Sequence, residues 1–222
     1  TDQSHALVET VACIPGTAED EVWMVVQRTI DGATKRYVEY MKSFDFGDDI
    51  EDAFFVDSGL SYDGSSATSL SGLSHLEGEP VRILTNGASH PDKLVASAAV
   101  ALTRATTKAH VGLAFNSTLQ TMRLEAGSTD GTAQNKIKRI DEVTTRLYRT
   151  VNVLVGGATD ALDRIPFRSG ADAMDAAIPM FSGDKELEMP TGYDRDSFVV
   201  VRQDLPLPMT VVAIYARSQT FD

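Results

Sequence analysis

A single cysteine, Cys13, stands in 222 residues, so no internal disulfide can staple the fold and no cysteine-based zinc site can form. Aromatic residues make up only 7% of the chain. No apolar run approaches the roughly 20 residues that a membrane-spanning helix requires. Positive charge is also short: 20 Lys and Arg face 32 Asp and Glu, for a net charge of -12. Such a balance argues against a general nucleic-acid binder, whose affinity rests on neutralising phosphates. It suits a soluble protein, a partner of something basic, or a surface that repels polyanions. The chain shows no signal peptide and opens at Thr1 without an initiator Met, as a processed or truncated product would. Neither a GxGxxG nor a Walker sequence occurs.

With 42% hydrophobic and 23% charged residues, the chain reads as globular. Its patterning is dominated by period-two alternation and β-branched residues, with few helix signals. Ala6–Ile14 predicts a first strand ended by Pro15-Gly16, and Cys13 within it reads as a small core residue. Glu21–Arg28 predicts a second, with Val22, Met24 and Val26 on one face and Trp23 and Val25 on the other. The Asp31-Gly32 turn then returns Thr34–Met41 as a third. This spacing suits one blade of a β-propeller, with one of its usual four strands missing.

The acidic stretch 44–52 reads as a linker or long loop, and the segment SYDGSSATS as a second loop. Val81–Leu84 predicts a strand entering the Asn86-Gly87 turn, and Ala98–Leu102, Ala109–Leu113 and Thr118–Leu124 predict further short strands of a small barrel. After the loop AGSTDGTAQN, Lys136–Val155 places Val143, Thr145 and Leu147 on one strand face and Thr144, Arg146 and Tyr148 on the other. A helix over Ala133–Arg146 is the competing reading, weakened by three β-branched residues in a row. Ser197–Gln203 and Met209–Arg217, separated by Leu205-Pro206-Leu207-Pro208, predict two strands that close a small sandwich. The expectation is therefore a mainly β chain with three parts: propeller-blade-like strands over 1–44, a small β-barrel over 45–124 and a β-sandwich-like domain over 125–222.

No constellation of residues announces chemistry. The carboxylates Asp45, Asp48, Asp49, Glu51 and Asp52 invite a calcium reading, but the ligand order of an EF-hand is absent, and a solvated acidic linker is the plainer account. Asp45-Phe46-Gly47 spells the kinase metal-binding triplet with no Gly-rich loop or catalytic loop beside it. His5, His75, His90 and His110 are far apart and lack metal-ligand spacing. Ser58-Gly59 and Ser71-Gly72 form no nucleophile elbow. Carboxylate pairs for glycoside hydrolysis are a matter of spatial and not sequence pairing, and with so many acids chance pairs are guaranteed. The basic residues Arg123, Lys136, Lys138, Arg139, Arg146 and Arg149 are interrupted by Asp141 and Glu142, and pairing with acidic groups on a neighbouring domain or subunit is a better reading than DNA contact. Asn116-Ser117-Thr118 is a formal glycosylation sequon, irrelevant to a protein made in bacteria. No catalytic, cofactor-binding or metal-binding residue is assigned, and the chain is expected to be no enzyme. Tyr62 and Tyr193, in Gly- and Ser-rich loops, are the aromatics that a receptor-binding site would use.

Several phrases carry a likeness to a known family: EDEVWMVVQRTIDGATKRYVEYM, FFVDSGLSYDG, LSGLSHLEGEPVRILTNGASHP, HVGLAFNSTLQTMRLEAGSTDGTAQNKIKRIDEVTTRLYRT, IPFRSG and LPLPMTVVAI. In this order they resemble the C-terminal part of the tail nozzle (tail tubular or stabilisation) proteins of short-tailed bacteriophages and prophages. Asp141 and Glu142 depart from the family pattern, which has basic or neutral residues there. The middle part also resembles the small barrel named after the first catalytic cysteine half-domain of ubiquitin-activating enzymes, a fold label from which no ubiquitin chemistry follows. The resemblance implies a propeller upstream whose final blade ends at Met41. It implies a structural virion protein, assembled in the bacterial cytoplasm into a ring, usually a hexamer, with portal, adaptor and other tail proteins. Such a ring helps form the DNA exit channel and touches genomic DNA transiently, without a cofactor or a membrane anchor. A distal tail domain that binds a host receptor or glycan is the alternative. The edge of the N-terminal strands is then expected to be frayed, swapped or paired with another copy.

Overall fold

A computed structural model describes residues 6–17, 19–125, 132, 136–189 and 192–221. The chain is mainly β, 59% strand, and its helical pieces among the described residues are the short 3-10 turns Ile50–Asp52 and Ser74–Leu76. Two compact units divide it: Thr1–Phe115 with Leu205–Leu207, and Asn116–Asp204 with Pro208–Asp222.

The first unit opens with β1 (Leu7–Ile14), β2 (Glu21–Ile30) and β3 (Ala33–Tyr40), an antiparallel meander in the order β1-β2-β3. Asp31 and Gly32 both take positive φ, 48° and 71°, as a two-residue turn that matches strand twist demands. The expected alternation holds on β2, where Val26, Arg28 and Ile30 are buried on one face. On the opposite face the Trp23 ring stacks on Tyr40 with centroids 5.1 Å apart. Cys13 is exposed. It was expected in a core, but β1 is an edge strand and all eight of its residues are exposed.

The second sheet of this unit contains β4 (Asp57–Ser71), β5 (Pro80–Thr85), β6 (Ala88–Leu94) and β7 (Ala99–Leu113), in the order β4-β7-β5-β6. The segment SYDGSSATS is strand and not loop, because Tyr62 and Asp63 pair with Ala109 and Lys108 across a ladder whose register shifts absorb the poor β-formers. The two short strands expected at Ala98–Leu102 and Ala109–Leu113 are one continuous β7. The small barrel expected over 45–124 is an open sheet. Four strands are few for closure, and β6 ends the sheet with Pro91, Asp92 and Lys93, the residues that blunt an edge. Ile30 of β2 enters the core of this sheet beside Leu73, Leu76, Val81 and Ile83. Burial of one such side chain is worth about 1.5–3 kcal/mol, so the N-terminal meander shares a core with the second sheet.

In the second unit, β8 (Ser117–Gln120), β9 (Ile137–Thr150), β10 (Leu154–Ala158), β11 (Ala161–Arg164), β12 (Phe181–Glu188), β13 (Val200–Gln203) and β14 (Val211–Phe221) build two antiparallel sheets, β11-β10-β13-β8 and β12-β9-β14. One core takes Ile140, Val143 and Leu147 from β9, Val155 from β10 and Val201 from β13. The strand reading of Lys136–Val155 prevails over the helix. Val143, Thr145 and Leu147 are buried and Arg146 and Tyr148 exposed, as alternation predicts. Upstream the buried positions are Lys138 and Ile140, and the phase changes where the pairing with β14 shifts between Arg217 and Ser218. This is a bulge at Asp141. The strands β11 and β12 lie in the Gly-, Pro- and Asp-rich stretch that carries no clear pattern. The loop AGSTDGTAQN falls outside the described residues apart from Thr132.

Candidate functional site

The densest polar arrangement of the first unit grows from the inward face of β2. Arg28 follows Val22, Met24 and Val26 in the alternation and so enters the interior, where its side chain is 5% exposed. Its Nε and Nη2 donate to the two oxygens of Glu39 at 2.9 and 2.7 Å. Its Nη1 and Nη2 donate to Asp57 at 2.8 Å each. Burial works against both partners, raising Glu39 and lowering Arg28, but the hydrogen bonds between them win. Glu39 is held below the usual carboxylate range and Arg28 above the usual guanidinium range. The group joins β2, β3 and the start of β4. Beside it the Tyr37 hydroxyl donates to the His75 carbonyl at 2.7 Å, and the Asp31 amide donates to Glu79 at 2.8 Å. Above it lies an open groove of about 750 Å³, walled by Val8, Met24, Tyr40, Met41 and Phe54. With all its nitrogens engaged, Arg28 is not positioned to hold an anion. The arrangement is a clasp.

The residues singled out in the sequence are scattered. His110 of β7 faces Ser61 of β4, its Nδ1 2.8 Å from the hydroxyl, and its Nε2 lies 3.0 Å or less from the Glu51 carbonyl, at 2.9 Å. A carbonyl only accepts, so Nε2 carries the proton and Nδ1 accepts from Ser61. Burial pushes His110 below the usual imidazole range. A serine beside a neutral imidazole is the start of a nucleophile–base pair. Here the two are direct cross-strand partners in the ladder, and the contact ties the acidic segment to the sheet. His90 accepts the Thr103 amide at Nε2, 3.0 Å, and His75 lies 3.0 Å from the Ser58 carbonyl. His5 lies outside the described residues. Of the acidic stretch, Asp45 accepts the Gly47 amide at 3.1 Å and Asp52 pairs with Lys108. Among the described residues no three His, Cys, Asp or Glu side chains gather as a metal site. Ser58-Gly59 lies near the start of β4, while Ser71-Gly72 marks its end.

In the second unit the basic residues find acids of the same unit. Arg123 pairs with Asp196 at 2.8 Å, Arg139 with Asp141 at 3.2 Å, and Arg146 with Asp184 at 2.8 Å. Glu142 takes Arg217 at 3.2 Å. Lys138 is wholly buried and donates to the Leu124 carbonyl at 2.9 Å. Tyr62, expected to be an exposed loop aromatic, packs against the first unit's core and donates to the Ser65 carbonyl at 2.6 Å. Tyr193 is 58% exposed, sits edge-on to Phe221 at 4.9 Å, and borders a groove of about 630 Å³ with Phe198, Asp160, Asp163 and Asp194.

The clasp escaped the sequence reading, although one signal was present: an arginine on the inward parity of an otherwise apolar strand. The other feature with functional weight is the surface of the N-terminal meander. Leu7, Val8, Val11, Ile14, Val38 and Tyr40 are all exposed there, a concentration typical of a surface that meets another protein. No helix among the described residues is long and apolar enough to cross a membrane. No protein-family model matches the chain, and no curated protein matches it.

Proposed function

We propose that the chain is a structural, non-enzymatic component of a short phage tail, of the nozzle type, that assembles with copies of itself into a ring lining the DNA exit channel. In this reading its partners are further copies in a hexameric ring, together with portal, adaptor and other tail proteins, and its place is the virion. The N-terminal meander is the last part of a propeller blade, and the two sheets of the second unit form a sandwich-like domain. The observation that carries the reading is the colinear likeness of six sequence phrases to that family. The geometry is compatible with it: the polar groups of the interior hold elements together, and the apolar groups of β1, with Val38 and Tyr40 of β3, are left outside. The test is imaging of the purified chain by negative-stain electron microscopy. Rings with a central opening wide enough for duplex DNA are expected, and a chain that stays monomeric at every concentration would overturn the proposal.

A second reading, a distal domain that binds a host glycan, draws on one observation, the exposed Tyr193 beside carboxylates in an open groove. Aromatic faces and carboxylates are groups that sugars use. Binding on a glycan array that Tyr193→Ala abolishes would favour it over the structural reading.

A further inference from the structure

The open groove above the clasp has apolar walls that the clasp does not account for. Pairing across the meander puts Val8 opposite Val26, and Met24 opposite Glu39, on its inward face. Met41 follows Glu39 in the same alternation. Phe54, just before β4, and Leu60 of β4 complete the wall. Val8, Met41 and Leu60 are 52%, 60% and 46% exposed. Three separate stretches of chain thus bare apolar side chains around one space of about 750 Å³. Ligand sites commonly enclose roughly 300–1,000 Å³ between mostly apolar walls that carry a few placed polar groups.

The charged groups of this wall differ in what they have left to offer. Glu39 and Asp57 both face Arg28, whose nitrogens are all taken. Two carboxylates against one guanidinium leave the clasp with a net negative charge, which repels an anion. Lys42 is the other lysine or arginine of the wall. It is exposed, and among the described residues it pairs with no carboxylate. Its Nζ lies 5.3 Å from the centre of the Tyr40 ring and 6.0 Å from that of Phe54. Such contacts hold the ammonium at the rim without cancelling its charge. The Met41 amide, which donates to the Val22 carbonyl at 2.9 Å, ties down the residue before it. We propose that this groove binds an amphiphile with an anionic head, a fatty acid being the simplest. Its carboxylate meets Lys42, and its hydrocarbon chain lies along Val8, Met24, Met41, Phe54 and Leu60. The groove of the second unit is the contrast. Its wall includes Asp160, Asp163, Asp194 and Asp196 with no lysine or arginine, a setting that turns carboxylates away. The site is a property of the single chain and does not depend on ring assembly.

The experiment is isothermal titration calorimetry of the whole chain with decanoate, decanol and decyltrimethylammonium, each below its micelle concentration. Decanoate is expected to bind saturably and more tightly than the other two. Lys42→Gln should weaken decanoate about three- to tenfold, the worth of a partly solvated charge contact, and leave decanol unchanged. Leu60→Glu sets a carboxylate in the wall at an exposed position and should abolish decanoate binding. Both variants are checked for native circular dichroism. Failure of the wild type to bind decanoate saturably would overturn the proposal. Equal weakening of decanoate and decanol by Lys42→Gln would do the same, because Lys42 would then not meet the head group. Decanoate binding that survives Leu60→Glu would put the ligand elsewhere. Equal affinity for the cationic amphiphile would show uptake without regard to charge and sink the assignment.

Discussion

Arg28 commits its guanidinium to two carboxylates on different strands, so its removal leaves Glu39 and Asp57 facing each other without a counter-charge. Breaking a buried pair from one side typically costs about 3–5 kcal/mol. Asp57 keeps 40% of its side chain in water, which moves the expected cost of Arg28→Ala to about 2–3 kcal/mol in urea unfolding. Replacing all three groups by Met, Gln and Asn should recover part of that loss. A cost near zero for the single change would mean that the clasp holds nothing. The same neighbourhood sets a response to acid. Glu39 has a depressed folded pKa, so its contribution is present above the usual carboxylate range and is lost as pH falls through the folded value. His110 is also lowered, by burial. The unfolded chain takes up that proton first, and stability therefore falls as pH drops below about 6.5, the ordinary imidazole value. Urea midpoints measured from pH 7 to pH 5 should decline, and His110→Gln should flatten that part of the curve. A flat profile for the wild type would contradict the burial that holds His110 neutral.

At the scale of elements, β9 gives the plainest test of facing. Leu147 is 2% exposed in the second unit's core, and truncation to Ala should cost about 2–5 kcal/mol. Its neighbour Arg146 forms an ion pair at the surface, and Arg146→Ala should cost less than about 1 kcal/mol. Equal costs would mean that the strand is turned over. Alternation made this strand legible, along with β2, β3 and the Asp31-Gly32 and Asn86-Gly87 turns, because one face of β9 and of β2 is buried, alternate residues of β3 are half-buried, and the turn residues need positive φ. What alternation does not show is an element held by its neighbours. The Ser- and Gly-rich middle of β4 is strand because β7 lies beside it, and β6 tolerates Pro91 because it is an edge. The barrel was unreadable for a related reason: closure depends on which edges meet, and no local pattern encodes that. Cys13 looked internal because β1 has a core-like composition. Only the topology reveals that nothing within the described chain covers it.

For the whole molecule, the net charge of -12 governs how it meets a polyanion. Arg123, Arg139 and Arg146 are already paired within their own unit, and a duplex would have to displace those acids to reach them. No measurable duplex binding is expected at physiological salt in an anisotropy titration. Micromolar binding with a log–log salt slope of several units would reveal a phosphate-tracking surface and contradict the exit-channel role.

Trp23 adds an optical consequence. It is the chain's one tryptophan, stacked on Tyr40 in the N-terminal meander and therefore a probe of the first unit alone. Its emission monitors that unit, while far-ultraviolet circular dichroism averages over both. Coincident midpoints from the two signals would mean that the units unfold as one cooperative body, and separated midpoints that each melts by itself. An unfolding curve drawn from fluorescence alone would then be blind to the entire second unit.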